Sequence, residues 1–504
     1  MRGAACARRG RPAGALGGTG RGGAGRGGAG RGPGKRTRGA HSSSVPGSPP
    51  RPTSPRLPRP ASRQSAPHRL ASAPTQKPTR GAPPMPTAPA VSARPPADAW
   101  SLFGPGDRVC LAGAGGEPRG ALAALAADPE LGRGLRFTGA WLPGVNDFDP
   151  SEGVPDASAS VVFVNPALRA GFEAKRVEFL SLNYWHLDRW LSGPAGLTGA
   201  IMQVSQPQDG FVTAGIACDF DQAMLDGAKT VVGEITPAMP VPPGAPRIPV
   251  SRFAMLTEAA TPLPTYDAGR LPDDLKKVAA TIAGMIGPGD TVQVGIGKAA
   301  AAVMEALEGH RDLGYHAGLI IEPFKDRLEE GVFSRGITTG TIIGSDDLYA
   351  RVAPDPRIRW EAVRVTHHHP TIAAIPRFVS INSGLTVDLM GQTTSEMLGG
   401  RQISGHGGSA DFQRGARASE GGRAVIALPA TARRGTESRI VPRLEPSGVV
   451  SLPRGDRDIV VTEYGVADLR WLGIDATAEA LIAIAAPEFR DGLANDWDAM
   501  RRAM

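Results

Sequence analysis

The chain has 504 residues, with 56 Lys and Arg against 49 Asp and Glu and 41% hydrophobic residues. That is enough for two ordinary domains and a tail. No run of 18 apolar residues occurs, which argues against a transmembrane helix, and no apolar stretch near the N-terminus has the form of a secretory signal. Cys6, Cys110 and Cys218 are scattered with no CxxC, so neither a disulfide framework nor a cysteine zinc site is expected, and a reducing, cytoplasmic setting is.

Charge divides the chain. Residues 1–97 hold no Asp or Glu but 18 of the Lys and Arg; the remainder carries 38 against 49, a net −11. The first segment is rich in Gly, Pro and Arg, with repeats such as GRGGAGRGGAGRG. It has too little apolar surface to offset its ordering entropy, so a disordered N-terminal tail is expected. Its composition suits a transit peptide or an arm for an anionic surface. It lacks aromatics to stack bases, so no nucleic-acid role is expected. The simplest reading is an upstream segment without a role, the folded protein starting later, for instance at Met85.

Two stretches echo one another. Residues 103–115, FGPGDRVCLAGAG, and 286–297, IGPGDTVQVGIG, each give a GPGD turn, a short apolar strand and a glycine-bearing loop. A helical pattern follows each, PRGALAALAAD and KAAAAVMEALEGH. The echo predicts two related domains that open the same way. ASVVFVN, GAIMQVS, KTVVGEI, GRAVIALP and RDIVVTEYG read as buried strands. FDQAMLDGA, DDLKKVAATIAGMI and TAEALIAIAAPEF read as helices, the last breaking at Pro487. The expected fold is α/β with mostly parallel sheets: the tail over 1–97, one domain over 98–268 and a second over 269–504, the boundary lying within 259–272. Ligands then belong at the carboxyl ends of the strands.

GIGKAAAA sets Gly295 and Gly297 at a strand end that opens a helix, where backbone N–H groups and the helix dipole favour an anion. A tight strand-to-helix turn explains the same glycines. SGHGGSADFQRGA (404–416) gathers Gly405, Gly407 and Gly408 with serines and Arg414. It reads as a cradle for a phosphate or a pantetheine arm, or as an ordinary glycine-rich loop. VTEYGVADLR (461–470) predicts a strand ending at Glu463, Tyr464 and Gly465 with a helix behind it. The Gly465 N–H is a candidate oxyanion donor, a plain turn being the simpler reading. His367, His368 and His369, read as a strand, point alternately and lack spaced carboxylate or cysteine partners, so no metal is expected. His406, inside the glycine loop, is a candidate general base, a solvated loop histidine being the alternative.

QVSQPQDGFVTAGIACDF, DTVQVGIGKAAAAVMEAL, VSINSGLTVDLMGQ, SGHGGSADFQRGA, RAVIALPATARRGTESRIVP and VTEYGVADLRWLGIDATAEALIAIAAPEFRD together make a pattern. It resembles the acetyl-CoA hydrolase/transferase family, which includes 4-hydroxybutyrate and succinyl-CoA:acetate CoA-transferases, over most of residues 101–497. The resemblance implies two CoA-transferase-type domains with the site between them and coenzyme A as the bound group, without a metal. It implies acyl-CoA and a small carboxylate or other acyl acceptor as partners, and a homodimer. It also implies a catalytic glutamate, in a pattern like NSALEVDLxGQ, that attacks the thioester and passes through a glutamyl-CoA intermediate.

NSGLTVDLMGQ carries Thr386 at that place, and a threonine has no carboxylate to form the anhydride. Asp388 shares its face of the strand, but it and Glu396 fall on positions the family also fills. Two further runs depart from the family: THHHPTIAAIP, and YHAGLIIEPFKD (315–326) where the family tends to read HTEMFSDGVMD. In the latter His316 and Asp326 remain, and the acid and serine between them are lost. The expectation is an acyl-CoA-dependent transferase or hydrolase without a glutamyl-CoA intermediate, with Thr386 shaping the acyl pocket or hydrogen-bonding the acyl group. The alternatives are a conventional CoA-transferase that uses another acid, and a non-catalytic CoA-thioester-binding protein.

Overall fold

The computed structural model describes residues 93–504. The tail expected over 1–97 lies outside them as far as residue 92. Its expected end is a few residues late: the Arg94 N–H donates to the Leu256 carbonyl at 2.9 Å, and the Arg94 carbonyl accepts from the Glu258 N–H at 3.1 Å. A 3₁₀ turn, Pro96–Leu102, then seats Trp100 in the core.

Among the described residues, two large sheets carry the fold. The first is built from β1 (Arg108–Leu111), β2 (Arg136–Gly139), β3 (Ser158–Val161), β4 (Val177–Phe179), β5 (Gly199–Val204), β6 (Thr230–Ile235) and β7 (Met255–Glu258). Its order is β4-β3-β2-β1-β5-β6-β7, parallel throughout. The second holds β8 (Thr291–Val294), β9 (Leu313–His316), β10 (Phe333–Thr339), β11 (Ile358–Trp360), β12 (Phe378–Ser383), β13 (Arg423–Ala427), β14 (Ile459–Thr462) and β15 (Gly465–Asp468). Its order is β11-β10-β9-β8-β12-β13-β14-β15, parallel up to β14. β5 is buried at every position, as a strand covered on both faces must be.

The sequence echo is an echo of topology. β1 and β8 take the same place in their sheets: three strands are added outward on one side, then the chain returns to build the other. The GPGD turns repeat in atomic detail. The Asp107 carboxylate accepts from the Gly104 N–H at 2.8 Å, and the Asp290 carboxylate from the Gly287 N–H at 2.9 Å. Gly106 and Gly289 turn the corner at φ 90° and 87°, a left-handed conformation that favours glycine. One continuous apolar cluster then joins the halves, running from Cys110 and Met202 to Val292 and Ile342.

The helices that matter below are α1 (Arg119–Ala127), α2 (Tyr184–Leu191), α3 (Asp221–Gly227), α4 (Asp273–Ala283), α5 (Lys298–Ala306), α6 (Val363–Thr366), α7 (His369–Ala373), α8 (Ser409–Ala418), α9 (Ile474–Ala483) and α10 (Pro487–Arg502). Pro487 breaks the last pattern as expected, at the start of α10. Two local expectations are corrected. VTEYGVADLR is a hairpin: β15 returns antiparallel along β14, with Gly465 opposite Thr462, and the next helix waits until Ile474. The histidine run is the junction of α6 and α7, not a strand, because Pro370 opens a new helix there.

Asp290 anchors the second half. It is fully buried, accepts from Arg377 Nε at 2.7 Å and pairs with the Arg423 guanidinium as well. Asp290→Ala leaves the largely buried Arg423 guanidinium without its carboxylate and frees the turn. It is expected to cost about 3–5 kcal/mol, read as a lowered urea midpoint at unchanged m-value.

Candidate active site

The carboxyl ends of β8 and β12 open into a cavity of about 200 Å³ between the two sheets. Gly295 follows β8, Asn382 and Ser383 end β12, and the loop 404–408 forms one wall, packed against Phe163 and Tyr184 of the first half, which also contributes Asp219. This is where a parallel sheet places its ligands. Gln293, Ser380 and Asn382 stand in a polar row beneath it. The Gln293 amide oxygen accepts from Ser380 Oγ at 2.7 Å and from Asn382 Nδ2 at 3.1 Å. Asn382 is thereby held with its Oδ1 3.3 Å from the space a Cβ on Gly295 would fill.

The loop 404–408 lies tightly across the first half. A Cβ on Gly405 would stand 1.8 Å from the Val162 carbonyl oxygen, and one on Gly408 would stand 2.2 Å from His367 Nε2. Gly407 has φ 52°, and its carbonyl accepts from the Tyr184 N–H at 3.0 Å. These glycines therefore serve close packing first. Behind them the buried Asp411 carboxylate of α8 accepts from Asn183 Nδ2 and from the Trp185 N–H at 3.3 Å, and meets His369 Nε2 at 3.2 Å. Burial pushes the Asp411 carboxyl up from the usual carboxylate range.

His406 faces the cavity from this loop. Its Nε2 lies 3.3 Å from Glu396 Oε1, and the same buried oxygen accepts from Ser451 Oγ at 2.7 Å. A histidine held by a buried carboxylate has its orientation fixed, as a general base requires. The sequence reading set Glu396 aside as a nucleophile and did not see it in this orienting role.

The histidine run disperses. His368 Nδ1 meets Thr371 Oγ1 at 3.0 Å, and His369 meets Asp411. His367 turns into the cavity wall, its Nδ1 2.9 Å from Thr366 Oγ1 and its ring packed on Phe412 and Tyr184 at 4.5 and 5.3 Å between centroids. Burial drives its pKa down to about 3, so the ring is neutral. Among the described residues no cluster of three metal-ligating side chains forms.

The structure brings Gly295, Gly405, His406, Gly407 and Gly408 to one cavity. Gly297 is close by at the start of α5, its glycine required by φ 99° rather than by room. Thr386 and Gly465 do not line this cavity. Thr386 lies in a short strand, Thr386–Asp388, opposite Thr394, and faces a separate cavity of about 160 Å³ with Met397, Leu398 and Arg439. Asp388 accepts from the Met390 and Gln392 N–H groups at 3.0 and 2.9 Å and shapes a turn. Gly318, His367 and Asp219 line the main cavity and were missed as site residues. Gly318 sits inside the run 315–326 and His367 inside the run 366–376.

The sequence profile of the acetyl-CoA hydrolase/transferase C-terminal domain matches residues 344–497. The 4-hydroxybutyrate coenzyme A transferase of Clostridium kluyveri is 32% identical over 400 residues, covering 77% of this chain and 93% of that protein. The succinyl-CoA:cyclohexane-1-carboxylate CoA transferase of Geobacter metallireducens is 30% identical over 423 residues, covering 81% of this chain and 95% of that protein. Among solved structures, RipA from Yersinia pestis superposes with a TM-score of 0.75 at 27% identity, over 81% of this chain and 97% of RipA. The 4-hydroxybutyrate CoA-transferase of Porphyromonas gingivalis does so at 0.66 and 30%, over 82% and 98%. The chain belongs to the acetyl-CoA hydrolase/transferase family.

His316 and His367 make stability depend on pH. Burial lowers them from 6.5 to about 4 and about 3. As pH falls below about 6.5 the unfolded chain takes up protons that the folded chain refuses. The stabilisation is full above that value and is lost toward the folded-state values. At pH 5 each histidine is expected to cost about 2 kcal/mol, read as a falling urea midpoint, and His367→Gln should flatten that slope.

Proposed function

We propose that this protein acts on an acyl-CoA thioester and transfers or hydrolyses the acyl group without a glutamyl-CoA intermediate. One observation carries the reading: among the described residues, no glutamate lines the cavity on which the glycine loops converge. The acceptor is a small carboxylate, another acyl acceptor or water. The His406 imidazole, held by Glu396, takes the proton of a water or hydroxyl acceptor as its oxygen bonds to the thioester carbon. The carbon–sulfur bond then breaks, and the thiolate of coenzyme A recovers the proton from the imidazolium. Loop N–H groups and the start of α5 suit the phosphates and the developing oxyanion. Cys110 and Cys218, buried and unpaired, fit a cytoplasmic setting.

A second reading rests on Asp219, a carboxylate that lines the cavity from the first half and whose pKa burial raises to about 6. In that reading it is the attacking acid of a conventional CoA-transferase.

The test is a chromatographic assay of several acyl-CoAs with and without a carboxylate acceptor. Acyl transfer or hydrolysis with no exchange of CoA between acids is the expected result. His406→Gln should lower kcat by about 100-fold or more, and Thr386→Ala should keep a substantial part of the activity. CoA exchange that Asp219→Asn abolishes would move the assignment to the second reading. Coenzyme A binding with no turnover of any thioester would remove both.

A further inference from the structure

We propose that this protein carries a second ligand site, a pocket for a nucleotide at the amino ends of β13 and β14, where arginines take the phosphates and Trp471 takes the base. The pocket holds about 430 Å³ and is lined by Arg417, Arg454, Arg457 and Arg470, with Trp471 beside them. A concavity of this size suits a small molecule.

The pocket lies apart from the candidate active site, which opens at the carboxyl ends of β8 and β12. Its wall includes Gly421 and Gly422, just ahead of β13, and Asp458, just ahead of β14. Those strands run parallel to β12, so the two sites occupy opposite edges of one sheet. The five residues of β13 alone span about 16 Å.

The charges in the pocket do not balance. Arg470 pairs with Asp468 at 2.6 Å. Arg417 reaches Asp456 only at 3.7 Å, and Arg414 already holds that carboxylate at 2.9 Å. Asp458 is engaged as well: it accepts from the Ala424 N–H at 2.7 Å and stands 3.6 Å from Arg470. Among the described residues Arg454 and Arg457 have no carboxylate partner. Arg457 donates instead to the carbonyls of Arg454 and Leu472, both at 2.8 Å, and its Nε is buried without an acceptor. Burial and the charges of Arg417 and Arg454 push its pKa below the ordinary arginine value. A phosphate group relieves the repulsion among these guanidiniums and accepts from several of their N–H groups at once. α8 ends beside Arg417, and its dipole places roughly half a negative charge there. Four guanidiniums outweigh it.

Trp471 supplies the other half of the recognition. It is 99% exposed and holds a φ of 61°, a left-handed conformation that is costly for a bulky side chain. Apolar burial does not account for its place. The turn that carries it is tied to the arginine wall by the bond from Arg457 to the adjacent Leu472 carbonyl. An indole presented beside guanidiniums stacks on a base while the phosphates lie on the arginines.

The test is isothermal titration calorimetry of the full chain with ADP, pyrophosphate and coenzyme A, alongside tryptophan fluorescence. ADP should bind about 10-fold more tightly than pyrophosphate, quench the fluorescence, and weaken as salt is raised. Arg454→Ala should weaken ADP and pyrophosphate together, by about 10-fold. Trp471→Ala should weaken ADP alone and abolish the quench. Both side chains are exposed and neither lines the active-site cavity, so thioester turnover should be unchanged in both variants. Saturating coenzyme A should leave ADP binding in place. Absence of ADP binding would overturn the proposal. So would ADP binding that both variants leave unchanged, as binding to the basic residues of 1–97 would be. Displacement of ADP by coenzyme A would place the nucleotide in the thioester site, and binding of a single-stranded oligonucleotide but not of ADP would make the patch a polyanion surface; either result overturns it. Pyrophosphate bound as tightly as ADP would remove the base from the reading. None of these outcomes depends on the proposed reaction.

Discussion

The site depends on one contact, the laying of loop 404–408 against the first half of the molecule. Gly405 approaches the Val162 carbonyl so closely that any side chain would collide, and the Gly407 carbonyl takes the Tyr184 N–H. The buried Asp411 carboxylate, one turn into α8, then binds the start of α2 through Asn183 and the Trp185 N–H. A backbone that packs this closely has few alternative positions. His406, carried on the same loop, is set by it and by Glu396. The cavity wall, the candidate base and the joining of the two halves are thus one piece of structure.

A second constraint is room. Position 318 and the ring of His367 compete for the same volume, and the fold holds the ring. Desolvation keeps that ring neutral, where a carboxylate would bring a negative charge and a nucleophilic oxygen. Asp219, from the first half, is the carboxylate that lines the cavity beside it.

Much of the fold was legible because strand and helix patterns in a parallel α/β chain are local. β5 reads as GAIMQVS, apolar or small at every position but Gln203, and the GPGD turns announce β1 and β8. Where the reading failed, the cause was tertiary. The stretch after β14 looked like the entry to a helix, but Gly465 at φ 145° lets the chain return as β15. The glycines of 404–408 read as room for a ligand, and three-dimensional packing gives them a different first duty. Thr386 drew notice through its place in a pattern, and only the backbone shows that it faces another cavity. Glu396 and His406 are ten residues apart, joined by a short hairpin, Met397–Leu398 with Arg401–Gln402, which no periodicity announces. Gly318 gives no signal of its own in the sequence, and the ring that crowds it comes from 49 positions further along the chain.

The two sheets share more than a class. They wind in the same order from an equivalent first strand, and each is entered through a GPGD turn closed by the same aspartate-to-amide hydrogen bond. A match in both winding and turn is what tandem duplication of an ancestral half would leave. After such an event one copy is free to drift while the other retains its inherited task. In this molecule the second copy supplies the glycine loop, the candidate base and the histidine wall, and the first lends mainly a surface to close against. Two halves built alike thus serve the cavity unequally, one supplying most of its loops and the other most of the face they close against.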